Sequence, residues 1–271
     1  ALIADQLVAL ETRDFAAIST TSIAALLTAQ VFSLTTAQVI ALSTAQAQSL
    51  TTAQAFGLDA TQVAALETAD FAALSTASIA ALAPSQVQAT TTAQAQALTS
   101  PQAQALGTSQ LVAMETADFA ALSTASVHAL STDIVSILSS ADIIALTTAQ
   151  AQALATQQAF ALTSDQVAAM ETRDVASLAT NAIAALATSQ VVALRSDQAL
   201  ALATQQAVAL TTAQLVSMET QDFAALSTNS IAALLTAQIA ALISDELVAL
   251  RTDQALALTT QQIVALATAQ L

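Results

Sequence analysis

The sequence predicts an all-α solenoid, a superhelix of short helices built from eight-residue repeats. Three observations predict it: an octad register that never slips, a hydroxyl residue at one fixed place in nearly every octad, and only two glycines. Cut after residue 2 and every eight residues thereafter, the 271-residue chain gives 33 complete octads from Ile3 to Leu266, with short remnants at either side. The domain reading is a single continuous octapeptide-repeat array over 1–271, with no internal boundary.

Typical octads read TTAQVIAL (35–42), STAQAQSL (43–50) and STASIAAL (75–82). Position two is Thr or Ser except at Ala4, Ala60 and Pro84. Position four is usually Gln or Asp, position five apolar, and position eight Leu apart from Ile18, Thr90, Met114, Met170 and Met218. A continuous α-helix advances about 800° per octad, so a Leu every eight residues would wander around it and form no stripe. Each octad must contain its own break. A Thr or Ser at position two is a good N-cap, and about six residues follow in which a short helix fits. Pro101, at position three, then stands at the first helical position, where proline is tolerated. Helices this short do not survive alone, so stacking on neighbours has to hold them.

A β-solenoid is the alternative backbone. It is disfavoured because Ala and Gln are poor strand formers and because β turns want Gly, Asn or Asp at a fixed point.

Packing expectations follow. Where position five is only Ala, as at Ala47, Ala55, Ala95, Ala159, Ala199 and Ala255, position six is Gln48, Phe56, Gln96, Phe160, Leu200 or Leu256. The two positions are expected to fill one shared space. The Gln at position four either stacks into an amide ladder or serves free backbone groups at helix ends. A slower rhythm marks octads that begin Glu-Thr, at Glu11, Glu67, Glu115, Glu171 and Glu219, spaced 56, 48, 56 and 48 residues. It suggests six to seven octads per superhelical turn, with 13 octads in the 104-residue unit.

Composition excludes several functions. The net charge of −15, from 19 carboxylates against four arginines, repels nucleic acid and anionic membrane surfaces. No apolar run approaches the length of a spanning helix, so no membrane insertion is expected. Without cysteine there are no disulfides or thiolate metal sites. Every octad repeats its neighbours' chemistry, whereas an active site is chemically unique; no enzyme, cofactor or resident metal is expected.

The candidate sites are the marked octads, which pair Glu11 with Asp14, Glu67 with Asp70, Glu115 with Asp118, Glu171 with Asp174, and Glu219 with Asp222. The octad after each carries Ser22, Ser78, Ser126, Ala182 or Ser230 where Gln normally stands. As a functional pattern these are carboxylate rows for Ca²⁺ or a basic partner, because hard cations want several oxygens. As a structural pattern they are acids in the first helical turn, favoured by the helix dipole. His128, the single histidine, has no partner ligands in sequence and reads as a tolerated substitution.

Strings such as TTAQVIALSTAQAQSLTTAQ resemble low-complexity repeat tracts in large bacterial secreted or cell-surface proteins of the adhesin type. That resemblance implies an extracellular or cell-surface stalk, spacer or filament subunit. The Gly-rich, Asp-rich nonapeptides of calcium-binding secretion repeats are missing. The alternative is a binding module that uses the Glu/Asp octads. With no change of composition toward either terminus, self-association or continuation into a longer chain of the same repeat is expected.

Overall fold

The computed structural model describes residues 3–266, and every one of their 33 octads forms one α-helix of five or six residues. We number the helices by octad. The remnants at 1–2 and 267–271 lie outside the described residues. All-α is therefore the observed class, and no strand occurs among the described residues.

Helix starts sit one residue earlier than the Thr/Ser pattern implies. The N-cap is position one: Thr35, at φ −71° and ψ 155°, accepts from the Gln38 amide N–H through its hydroxyl. Position two is already helical. Pro84 thus opens its helix, and Pro101 follows the first helical residue Ser100. Both are tolerated, because N–H groups in the first turn have no intrahelical partner. The position-two hydroxyl is free for another task, reaching the coil that follows: Thr44 Oγ1 donates to Asp70 Oδ1 at 2.8 Å, and Ser164 Oγ to the Ser189 carbonyl at 3.0 Å.

The six-residue helices cap at position eight, where the backbone turns extended, as at Leu50 (φ −60°, ψ 127°), and the five-residue helices cap one residue earlier, as at Ala41. Positions eight and one together form an elbow of ordinary β conformation, and no described residue has positive φ. Glycine is therefore not needed at the corner.

By contacts the chain divides into two compact units, Ala1–Ile137 and Leu138–Leu271. The division falls before the last residue of the octad 131–138, whose position four holds Ile134 instead of Gln, and the next octad holds Asp142 there. Within each unit a helix packs on the helix three octads further along. In the first unit, α3 (Thr20–Ala24), α6 (Thr44–Ser49), α9 (Thr68–Ala73), α12 (Thr92–Ala97) and α15 (Thr116–Ala121) form one column. In the second, α19 (Thr148–Gln152), α22 (Thr172–Ser177), α25 (Ser196–Ala201), α28 (Thr220–Ala225) and α31 (Ser244–Ala249) form another. A turn thus takes between three and four octads, and six to seven is corrected. If a turn averages 26 residues, the separation of Thr44 and Asp70, the 104-residue unit spans four turns. The marked octads recur about every second turn.

The shared space of positions five and six is also corrected. Position five is buried in these columns as far as Phe223, with Leu247 half-buried, but position six faces outward: Phe56 is 60% and Phe160 62% exposed. The true volume exchange runs between stacked helices. Down the first column position five reads Ile23, Ala47, Phe71, Ala95, Phe119; down the second it reads Ala151, Val175, Ala199, Phe223, Leu247. As far as Phe223 large side chains sit over small ones, which is how a filled interior at crystal-like density is reached, and the last step sets Phe223 against the half-buried Leu247. A third kind of column is uniform. Helices α5 (Thr36–Ile40), α8 (Ala60–Ala65), α11 (Pro84–Gln88) and α14 (Thr108–Ala113) carry Val39, Val63, Val87 and Leu111.

The seam between coils and the acidic octads as candidate functional site

Position four is where the coils are tied together. In Gln octads the side-chain carbonyl closes a capping box while the amide N–H group crosses to the C-terminal end of the helix four octads earlier. Gln94 shows both halves: Oε1 accepts from the Thr91 N–H at 2.9 Å, and Nε2 donates to the Val63 and Leu66 carbonyls at 2.9 and 2.8 Å. Gln54 and Gln86 repeat the pattern 31 and 28 residues back. One buried amide thus satisfies an N-cap and two of the orphan carbonyls at a helix end, groups that cost free energy if left dry and unpaired. Of the two roles expected for this Gln, the structure shows service to helix ends.

The marked octads put a shorter acid in this seam. Asp70, Asp118, Asp174 and Asp222 are 2%, 4%, 0% and 3% exposed. Each takes a hydroxyl from position two of the helix three octads earlier: Thr44, Thr92, Thr148 and Ser196 donate to the respective Oδ1. The second oxygens of Asp70 and Asp174 are buried without a hydrogen-bond partner. Asp14 differs. Its side chain is 54% exposed beside Arg13, because the described chain has no coil on that side. Burial pushes the carboxyls of Asp174 and Asp222 above the ordinary carboxylate range, against hydroxyl bonds from Thr148 and Ser196 that pull them down.

The glutamates point elsewhere. Glu11, Glu67, Glu115, Glu171 and Glu219 occupy N-caps but make no side-chain capping bond. Glu67, Glu115 and Glu219 are exposed, and Glu171 pairs with Arg173 at 2.5 Å. From Glu67 onward, then, the two acids of a marked octad diverge, one to the surface and one into the seam. Among the described residues no group of three or more His, Asp or Glu is placed to hold a metal ion. His128 stands exposed at position six.

Two arginines belong to the seam although their octads drew no attention in the sequence. In RSDQALAL (195–202), Arg195 Nε pairs with Asp197 Oδ1 at 3.1 Å while its guanidinium donates to the Ala168 carbonyl. In RTDQALAL (251–258), Arg251 pairs with Asp253 and donates to the Ala224 carbonyl. Asp197 is lowered to about 2, first by the Arg195 bond and then by Thr172; Asp253 is lowered to about 2, first by Thr228 and then by Arg251. The Arg-x-Asp spacing was the available signal.

No helix among the described residues is long and apolar enough to cross a membrane. No curated protein matches the chain. The ALTTAQ repeat family does, at residues 7–44, 63–100, 111–148, 167–204 and 215–252. Each match begins four residues before a marked glutamate, so the family's unit keeps the 56- and 48-residue rhythm of the acidic seams. The matches cover more than half of the sequence, and the chain belongs to the ALTTAQ repeat family.

Proposed function

We propose that this ALTTAQ array is a structural spacer: a bacterial extracellular or cell-surface stalk or filament element whose job is to hold other parts apart, with no catalysis of its own. The observation that carries this reading is the use of position four. Nearly every buried polar side chain is Gln, Asp or Ser at that position, and where hydrogen bonds are seen they go to the octad's own cap or to an earlier coil. The polar chemistry of the interior is spent on stacking, and each added coil repeats the same bonds. A quasi-one-dimensional array of this kind lengthens without redesign. It also extends by self-association or into further octads of the same repeat, because the joining bonds are the same.

The test is a length series. Deleting one 104-residue unit, residues 27–130, leaves the stacking register of the remainder intact. Small-angle X-ray scattering of both chains should show the longest dimension falling in proportion to octads removed, with unchanged far-ultraviolet dichroism per residue. A deletion that unfolds the rest, or leaves the longest dimension unchanged, would sink the spacer reading. Sedimentation across a concentration series tests the self-association, and a single monomeric species throughout would remove it.

A further inference from the structure

Position four carries a donor, Gln or Ser, in most octads; an acid stands there in the marked octads and at Asp142 and Glu246, and Ile134 and Ala182 offer no polar group. Gln supplies an amide N–H to the carbonyl 28 residues earlier, and in the octads after the marked ones Ser supplies an O–H: Ser78 Oγ reaches the Leu50 carbonyl at 3.3 Å and Ser126 Oγ the Leu98 carbonyl at 2.9 Å. A short side chain with an O–H can therefore reach that acceptor. The equivalent acceptors are Leu42 for Asp70 and Leu146 for Asp174, and among the described residues no side chain donates to either. Each Asp spends Oδ1 on a Thr hydroxyl, with Arg173 Nε also 3.7 Å from Asp174 Oδ1, and keeps Oδ2 buried and without a hydrogen-bond partner.

An ionised carboxylate there would set a dry negative oxygen against the negative end of a helix, which is costly. A neutral carboxyl has an O–H to donate, as Gln and Ser do. We propose that Asp174 carries a proton in the folded array, with Oδ2–H donating to the Leu146 carbonyl 28 residues earlier, so that acid tightens the coil stack and alkali loosens it.

The surroundings permit it. Asp174 lies on α22 between α19, which carries none, and α25, which carries Asp197 with Arg195 at its cap; Glu171 and Arg173 flank it in its own octad. Burial raises the Asp174 carboxyl despite Arg173. Asp222, on α28 between α25 and α31, shares the direction and faces Asp197, Asp245 and Glu246 together with Arg195 and its own Glu219. For a carboxyl raised on folding, stability is gained as pH falls through the folded value and is fully present below the unfolded one.

The experiment compares melting temperatures of the full chain and the variant Asp174→Asn at about pH 8 and about pH 5, a window above the titration of Asp197 and Asp253. The wild type should melt several degrees higher at the acid end. The variant, whose amide donates at any pH, should melt higher than wild type at the alkaline end and lose much of the acid gain. Asp14→Asn, at the exposed counterpart, should leave the profile unchanged. A wild-type profile without acid gain, or an Asp174→Asn variant less stable than wild type at the alkaline end, overturns the proposal. So does stabilisation at the alkaline end by millimolar Ca²⁺ that Asp174→Asn abolishes, which would make the seam a cation site. Carbon-13 NMR titration of the aspartate carboxyls reads the protonation directly.

Discussion

Two columns of the first unit solve the same stacking problem differently. In the column of α5, α8, α11 and α14, each helix offers Gln at position four and a mid-sized side chain at position five: Gln38 with Val39, Gln62 with Val63, Gln86 with Val87, Gln110 with Leu111. In the column of α6, α9, α12 and α15, two kinds of octad alternate: Gln46 with Ala47, Asp70 with Phe71, Gln94 with Ala95, Asp118 with Phe119. The second unit alternates likewise, from Gln150 with Ala151 to Asp222 with Phe223. A long amide goes with a small core residue and a short acid with a large one. In the alternating column polar reach and apolar volume are traded between neighbours, whereas in the uniform column each octad balances itself.

The largest effect should come from breaking the alternation at its large member. Phe71 is 1% exposed between Ala47 and Ala95, two residues too small to fill a hole. Phe71→Ala should cost about 3–5 kcal/mol. Val87→Ala in the uniform column removes fewer atoms and should cost less. Denaturant titration of both variants checks the order, and equal losses would mean that the alternation carries no special packing.

Next comes the small member. Ala95→Leu, fully buried and stacked on Phe71 and Phe119, should destabilise by about 1–3 kcal/mol through overpacking. Combining it with Phe71→Ala should recover part of the loss, and strictly additive losses would break the claim that these positions share volume. Removing a tie rather than a volume, Gln94→Met leaves the Val63 and Leu66 carbonyls and the Thr91 N–H without their side-chain partner. A cost of about 1–3 kcal/mol is expected from the buried groups left unpaired. Hydrogen exchange at the Thr91 amide should accelerate in that variant.

Much of this was legible in the sequence because the octad is short and strict. The helical class, the break in every octad and the stacking requirement follow from the eight-residue period, from Thr/Ser punctuation and from the inability of six-residue helices to stand alone. The N-cap slipped by one residue because Thr and Ser fill both positions one and two in octads such as TTAQVIAL (35–42), and composition cannot say which hydroxyl caps and which crosses to the next coil. The volume exchange was visible but assigned within the octad. Its true partner lies three octads away, and only the number of octads per turn, which no local pattern fixes, identifies it. The acidic octads stood out as marks, yet Asp70 and Glu67 part company because position four lies in the seam and position one on the surface.

The smallest effect is at the surface end of the same seam. Asp197 is held at about 2 by bonds from Arg195 and Thr172, and Asp253 at about 2 by bonds from Thr228 and Arg251. A carboxylate lowered on folding stabilises the fold above its unfolded value of 3.8, and that contribution disappears as pH falls through about 2. The sign is opposite to that of Asp174 and Asp222, which are raised. Both ion pairs are solvent-exposed and screened, so Asp197→Asn should lower the melting temperature near neutrality only slightly, and less so in high salt. Below about pH 3 the difference from wild type should shrink toward nothing. The buried and exposed aspartates of neighbouring coils thus make opposite predictions over adjoining pH ranges, and one melting profile with the two Asn variants overlaid tells whether the seam and its rim titrate as separate systems.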